Sequence, residues 1–240
     1  MTMRTETLEY KDGSLTCDGF LAYDESTSGR RACVLVAHSW AGLIEPDRET
    51  ATKLAQLGYV GFAIDVYGKG VRGGIWDDNS KLMQPYLDDR AMLRQRLLAA
   101  VTAARDHALV DGERIGAVGF CFGGLCVLDL ARCGAPGVRG VVSVHGIFAP
   151  PNLGPQGKIT AKVLATHGWD DPLATPPDVL AFSREMSAAG ADWQLHAYGN
   201  TLHAFTAAGA NAPEKGVKYN ADAARRSWLA TKNFFEEVLA

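Results

Sequence analysis

The chain has 240 residues, 47% hydrophobic and 21% charged, enough to bury one large core and in keeping with a single α/β domain over residues 1–240. A formal charge of -3 offers no basic field to nucleic acid, and no apolar run reaches the roughly 18 residues of a membrane span. Five cysteines, an odd number with no C-x-x-C pair, argue against a disulfide frame and a metal site, and the polar first ten residues lack a secretory apolar region, so a cytoplasmic protein is expected.

In chain order, Thr5 to Tyr10 and Ser14 to Tyr23 flank Lys11-Asp12-Gly13 and predict an N-terminal hairpin, with Asp-Gly as the turn signal. The period then changes. Ala32 to Ala37 is a continuous apolar run that reads as a buried strand, Asp47 to Leu57 reads as a helix stopped at Gly58, and Tyr59 to Val66 is again a strand. Leu87 to His107 predicts one long helix. Strands over Arg114 to Phe120, Val138 to Val144 and Ala161 to Thr166 follow, then a helix over Pro177 to Ala189, a last strand over Trp193 to Tyr198 and a closing helix over Ala221 to Leu239. Thr206 to Lys218 is a polar excursion between the last strand and the final helix. Alternating βα units of this kind build a mainly parallel central sheet with helices on both faces.

Gly119-Phe-Cys121-Phe-Gly-Gly124 joins the apolar run ending at Val118 to the helical stretch Leu125 to Ala131. A sharp strand-to-helix turn ringed by glycines presents a Ser or Cys nucleophile at the top of a sheet, which makes Cys121 the candidate nucleophile. Cys33, Cys126 and Cys133 read as core. A thiol needs a base, and the base an orienting acid, which in such sheets come in the order nucleophile, acid, histidine. Of the histidines after Cys121, His196 falls within a strand, and His145 and His167 each end one. His203 alone sits in a loop beyond the last strand and is the candidate base. For the acid, Gly168-Trp-Asp170-Asp171-Pro172 follows the penultimate strand; Asp170 and Asp171 compete, and the adjacent proline and the spacing favour Asp171.

An oxyanion hole takes one backbone N–H from the residue after the nucleophile, Phe122, and one from the loop after an early strand, where Trp40 is the best placed residue of Ala37-His-Ser-Trp-Ala-Gly42. Around them, His38, Ser39, Trp76, Trp169 and Phe205 are the candidate substrate-lining residues.

Gly-Phe-Cys121-Phe-Gly-Gly, Gly-x-x-Asp171-Pro and Leu-His203-Ala-Phe205, together with Val36-Ala-His-Ser-Trp-Ala-Gly and Leu57-Gly-Tyr-Val-Gly-Phe-Ala-Ile-Asp-Val-Tyr-Gly, resemble the dienelactone hydrolase family over nearly the whole chain. The resemblance implies an α/β-hydrolase fold, a Cys121-His203-Asp171 triad, oxyanion donors at Trp40 and Phe122, and neither metal nor organic cofactor. Family members that open dienelactones carry a Glu beside the oxyanion loop and two arginines for the substrate carboxylate. Here those positions fall on Ser39, on Thr206-Ala207 and near Trp76 to Asp78, with Arg72 or Lys69 as possible stand-ins. The expectation is therefore a carboxylic-ester or lactone hydrolase acting through a Cys thioester on a small molecule that is not an anionic dienelactone, as a monomer or homodimer. The alternative is a low-turnover ligand-binding or sensor protein that keeps the hydrolase fold.

Overall fold

A computed structural model describes all residues from Met1 to Ala240. The N-terminal hairpin pairs β1 (Met3–Asp12) with β2 (Leu15–Asp24), turning at Gly13, whose φ of 59° suits a residue without a Cβ. Then come β3 (Arg31–Ala37), α1 (Glu45–Gln56), β4 (Val60–Ile64), α2 (Ser80–Asp88), α3 (Arg90–Asp106), β5 (Val110–Phe120) and α4 (Phe122–Arg132). The second half adds β6 (Val138–Val144), β7 (Lys162–Gly168), α5 (Pro176–Ala188), β8 (Trp193–Tyr198), a small ribbon of β9 (Asn211–Ala212) and β10 (Val217–Lys218), and α6 (Ala221–Val238).

Eight strands form one sheet in the order β1-β2-β4-β3-β5-β6-β7-β8. Strands β3 through β8 are parallel, and the hairpin adds antiparallel to β4. The strands β3, β4, β6 and β7 are almost wholly buried because helices cover both faces, which is why their sequences are continuous rather than alternating apolar runs. Leu54 of α1 and Phe234, Phe235 and Val238 of α6 fill one face, while Leu93, Leu97, Leu128 and Phe182 of α3, α4 and α5 fill the other.

The single long helix expected over Leu87 to His107 is in fact two. Asp89 sits extended between them (φ -120°, ψ 85°), and its carboxylate caps α3 by accepting the Met92 N–H at 2.8 Å. An Asp at a break is a helix start signal, and here it overrode the apolar periodicity that runs across it. The polar excursion is also structured: it contains the β9–β10 ribbon and a 3-10 turn at Pro213–Lys215.

Candidate active site

The loops at the carboxyl ends of β3, β5, β6, β7 and β8 converge on one edge of the sheet, where open α/β sheets bind ligands. Cys121 stands between β5 and α4 with φ 56° and ψ -115°, a strained conformation for a residue with a Cβ. Its N–H still bonds the Val144 carbonyl of β6 at 3.1 Å, so the turn is anchored although strained. Gly123 follows because there is no room for anything larger: a Cβ there would come 2.0 Å from the Ala37 carbonyl oxygen and 2.7 Å from that of His38. The turn after β5 and the loop after β3 are thus in backbone contact.

That contact places two free donors on adjoining loops. Neither the Phe122 N–H, at the first position of α4, nor the Trp40 N–H has an acceptor within the protein. At Phe122 this follows from the geometry of any helix start, whose first N–H groups lack an intrahelical partner and carry the positive end of the helix dipole. Tyr67 ties the two loops together: its hydroxyl donates to the Trp40 carbonyl at 3.0 Å and its ring stacks on Phe122 at 5.9 Å.

His203 lies in the loop after β8, where Gly216, just before β10, accepts its N–H at 2.9 Å and its own carbonyl accepts the Lys218 N–H at 3.1 Å. The polar excursion over Thr206 to Lys218 is therefore the cradle of this histidine. Asp171 is 2% exposed; its Oδ2 lies 2.7 Å from His203 Nδ1, and its Oδ1 accepts the Leu173 N–H at 2.8 Å. Asp170 is exposed, so geometry separates the two aspartates. His203 Nε2 is buried with no hydrogen-bond partner. Burial works against a charge on this ring, but the negative charge of the Cys121 sulfur and the bond to Asp171 outweigh it and push the His203 pKa up to about 10.

The substrate-lining expectations divide. His38 does not face an open site: it is 0% exposed, its Nε2 accepts the Val66 N–H at 3.1 Å and its Nδ1 donates to the Ser39 carbonyl at 2.6 Å. Burial drives its pKa down to about 4, so it is a neutral brace of the oxyanion loop. Phe205 is likewise 0% exposed and packs edge-on to the ring of His145. Ser39 and Trp40 are half-buried, and Trp76 and Trp169 are exposed. Trp76 reaches across to the segment after His203, where a Cβ on Gly209 would meet its indole at 2.5 Å.

The two possible substitutes for the family's arginines are already engaged. Arg72 reaches Asp18 at 2.6 Å and Asp65 at 3.2 Å, and Lys69 pairs with Glu9. The sequence marks His145 only as the end of a strand, yet its ring centre lies 5.1 Å from that of His203. The signal was present in the Val-His-Gly ending of β6, beside the nucleophile strand. A separate cleft of about 430 Å³ lies between α4, α5 and the loop after β6, and none of the residues proposed here lines it.

A parallel sheet wrapped by helices, with a cysteine at the strand-to-helix turn and an Asp-supported histidine across from it, defines an α/β-hydrolase of the carboxylic-ester class. The chain belongs to the dienelactone hydrolase family, whose model matches residues 17–239. It is similar over the full length of both chains to a dienelactone hydrolase-like promiscuous phosphotriesterase from metagenomic libraries, at 37% identity and TM-score 0.93. It is also 37% identical, over 64% of this chain and 98% of the other, to the uncharacterized protein K02A2.1 of Caenorhabditis elegans. A relative of Bradyrhizobium sp. bearing the name "Probable 2-oxo-3-(5-oxofuran-2-ylidene)propanoate lactonase" is 27% identical over 85% of this chain and 86% of its own. No helix is long and apolar enough to cross a membrane.

Proposed function

We propose that this hydrolase cleaves uncharged carboxylic esters or lactones through a thioester on Cys121. The Cys121 sulfur, as thiolate, attacks the carbonyl carbon, and the oxygen that becomes negative accepts the free N–H groups of Trp40 and Phe122. Collapse breaks the C–O bond; the leaving alkoxide takes the proton held on His203 Nε2, and the acyl group stays on sulfur. A water then gives its proton to His203 as it attacks the thioester, releasing the carboxylic acid and restoring the thiolate with its imidazolium. Asp171 fixes the tautomer by accepting from Nδ1 and stabilises the cation.

The observation that carries this reading is the pairing of His203 with Asp171 at 2.7 Å through Nδ1, which leaves the buried Nε2 as the ring atom able to exchange a proton with Cys121. Preference for uncharged substrates rests on Arg72 and Lys69 being consumed by Asp18, Asp65 and Glu9. In assays with small acyl esters, Cys121→Ala should lose activity by several orders of magnitude, as removal of a nucleophile does elsewhere. Retention of the full rate would end the proposal, and stoichiometric labelling of Cys121 without turnover would favour the binding-protein alternative. Neutral phosphotriesters form a second substrate class, favoured by the full-length likeness to the promiscuous phosphotriesterase and by the same engagement of Arg72 and Lys69. Hydrolysis of diethyl p-nitrophenyl phosphate that disappears in Cys121→Ala is the expected result.

A further inference from the structure

His145 directly follows β6 in a conformation few side chains adopt, with φ 39°, while its N–H still bonds the Thr166 carbonyl of β7 at 2.8 Å. The turn directs its ring between Phe205, 5.1 Å away and edge-on, and His203, 5.1 Å away at 69°. Phe120, the residue before the nucleophile, lies 6.0 Å off on a third side. Its Nε2 shares a hydrogen bond of 2.8 Å with the Thr206 hydroxyl, three residues beyond His203, and its Nδ1 is buried without a partner. A strained backbone and an unpaired buried nitrogen both cost stability, and neither returns any to the core. Such costs persist where the surrounding structure uses the side chain for something else.

His203 needs a second support. The bond from Nδ1 to Asp171 restrains the imidazole at that atom, yet small coupled rotations about χ1 and χ2 can still tilt the ring plane about the bond unless a neighbour packs against its face. We propose that His145, pinned by Thr206, is a positioning residue that fixes the plane of the His203 ring so that Nε2 faces Cys121. This rests on the triad reading above. A neutral ring is required there, because a second cation beside the His203 imidazolium would repel it. The titratable groups facing His145 are His203 and His167 of β7, and burial together with the His203 charge keeps His145 uncharged. Those facing His203 are Cys121 from the turn before α4, Asp171 from the loop after β7, His145 from β6 and His167 from β7. Phenylalanine at 145 would supply the same wall but not the Thr206 anchor.

The test uses the full chain carrying His145→Ala, His145→Phe or Thr206→Val, each checked for cooperative unfolding. Two readouts are taken: kcat and KM on an ester the wild type hydrolyses, and the rate of Cys121 alkylation by iodoacetamide against pH, followed on the Cys121 peptide by mass spectrometry. In His145→Ala, kcat should fall about 10- to 100-fold with little change in KM, the usual consequence of a misplaced catalytic group. The pH of half-maximal alkylation, a property of the Cys121–His203 pair, should move upward as the thiolate loses its aligned cation. Thr206→Val, which keeps the ring and loses its anchor, should show a smaller loss of the same kind, and His145→Phe, which keeps only the wall, should fall between Thr206→Val and His145→Ala. If His145→Ala folds yet keeps the wild-type kcat and alkylation profile, or if His145→Phe is as slow as His145→Ala, the proposal is overturned. Should His145→Ala fail to fold, an unchanged Thr206→Val overturns it instead. Alkylation needs no substrate, so it decides the role of His145 even if Cys121→Ala were to retain activity and the triad reading were to fail.

Discussion

The Tyr67 hydroxyl donates to the carbonyl oxygen of Trp40 at 3.0 Å, while the same ring stacks on Phe122 and on Tyr86, so one side chain braces both loops that offer free N–H groups. Tyr67→Phe keeps the stacking and removes the tether. Because loss of an entire oxyanion donor costs about 100- to 1000-fold in kcat, loosening one loop should cost on the order of tenfold, with KM nearly constant. Steady-state kinetics on an uncharged ester checks this, and stability should drop by only about 1 kcal/mol, the worth of one ordinary hydrogen bond.

Substrate charge gives a second expectation. Arg72 is bonded to Asp18 and Asp65, so its guanidinium is not free for a substrate carboxylate. A neutral p-nitrophenyl ester should therefore exceed its hemisuccinate counterpart in kcat/KM by about tenfold or more, since a charge-assisted bond is worth roughly 1.5 to 3 kcal/mol where it exists. Arg72→Gln should leave that ratio unchanged; a specific loss of the anionic ester would show that Arg72 does reach the substrate.

Acid should weaken the fold through His38. Its pKa is about 4 in the folded protein against 6.5 when free, so the unfolded chain takes up the proton first as pH falls. The stability tied to neutral His38 is complete above 6.5 and is lost as pH drops through 4, a difference of roughly 3 kcal/mol. Urea unfolding as a function of pH should show a shallower acid slope in His38→Gln, whose amide oxygen can still accept the Val66 N–H.

A buried charge network ties the loop after β6 to the helices. Arg90 and Arg132 both bond Asp129, Arg132 also bonds Glu185, and the two arginines hold the carbonyls of Phe148 and Ala149. Asp129→Ala leaves two buried guanidinium groups short of a partner and should destabilise the protein by about 3 to 5 kcal/mol in chemical denaturation.

Much of this architecture was legible in the sequence because β6 and β8 are bounded by strong local signals, and their limits over Val138–Val144 and Trp193–Tyr198 coincide with the apolar pattern. The cysteine, aspartate and histidine proposed as catalytic could be picked out in that order because each lies beyond the carboxyl end of a strand, Cys121 after β5, Asp171 after β7 and His203 after β8. What depends on distant partners was not. Nothing near Arg72 announces Asp18, 54 positions away, and nothing in Pro213 to Lys218 announces that its backbone holds His203. The break at Asp89 was hidden because the apolar spacing continues across it, and His145 was hidden because only a positive φ turns its ring toward His203.

The central claim is that an acyl group passes through the Cys121 sulfur. Rapid acid quenching of the enzyme during turnover of p-nitrophenyl acetate, followed by peptide mass spectrometry, tests it most directly. An acetyl group on the Cys121 peptide, present in wild type during turnover and absent from Cys121→Ala, is the predicted result. Turnover with no acyl adduct at any time, or an adduct on another residue that survives Cys121→Ala, would contradict it.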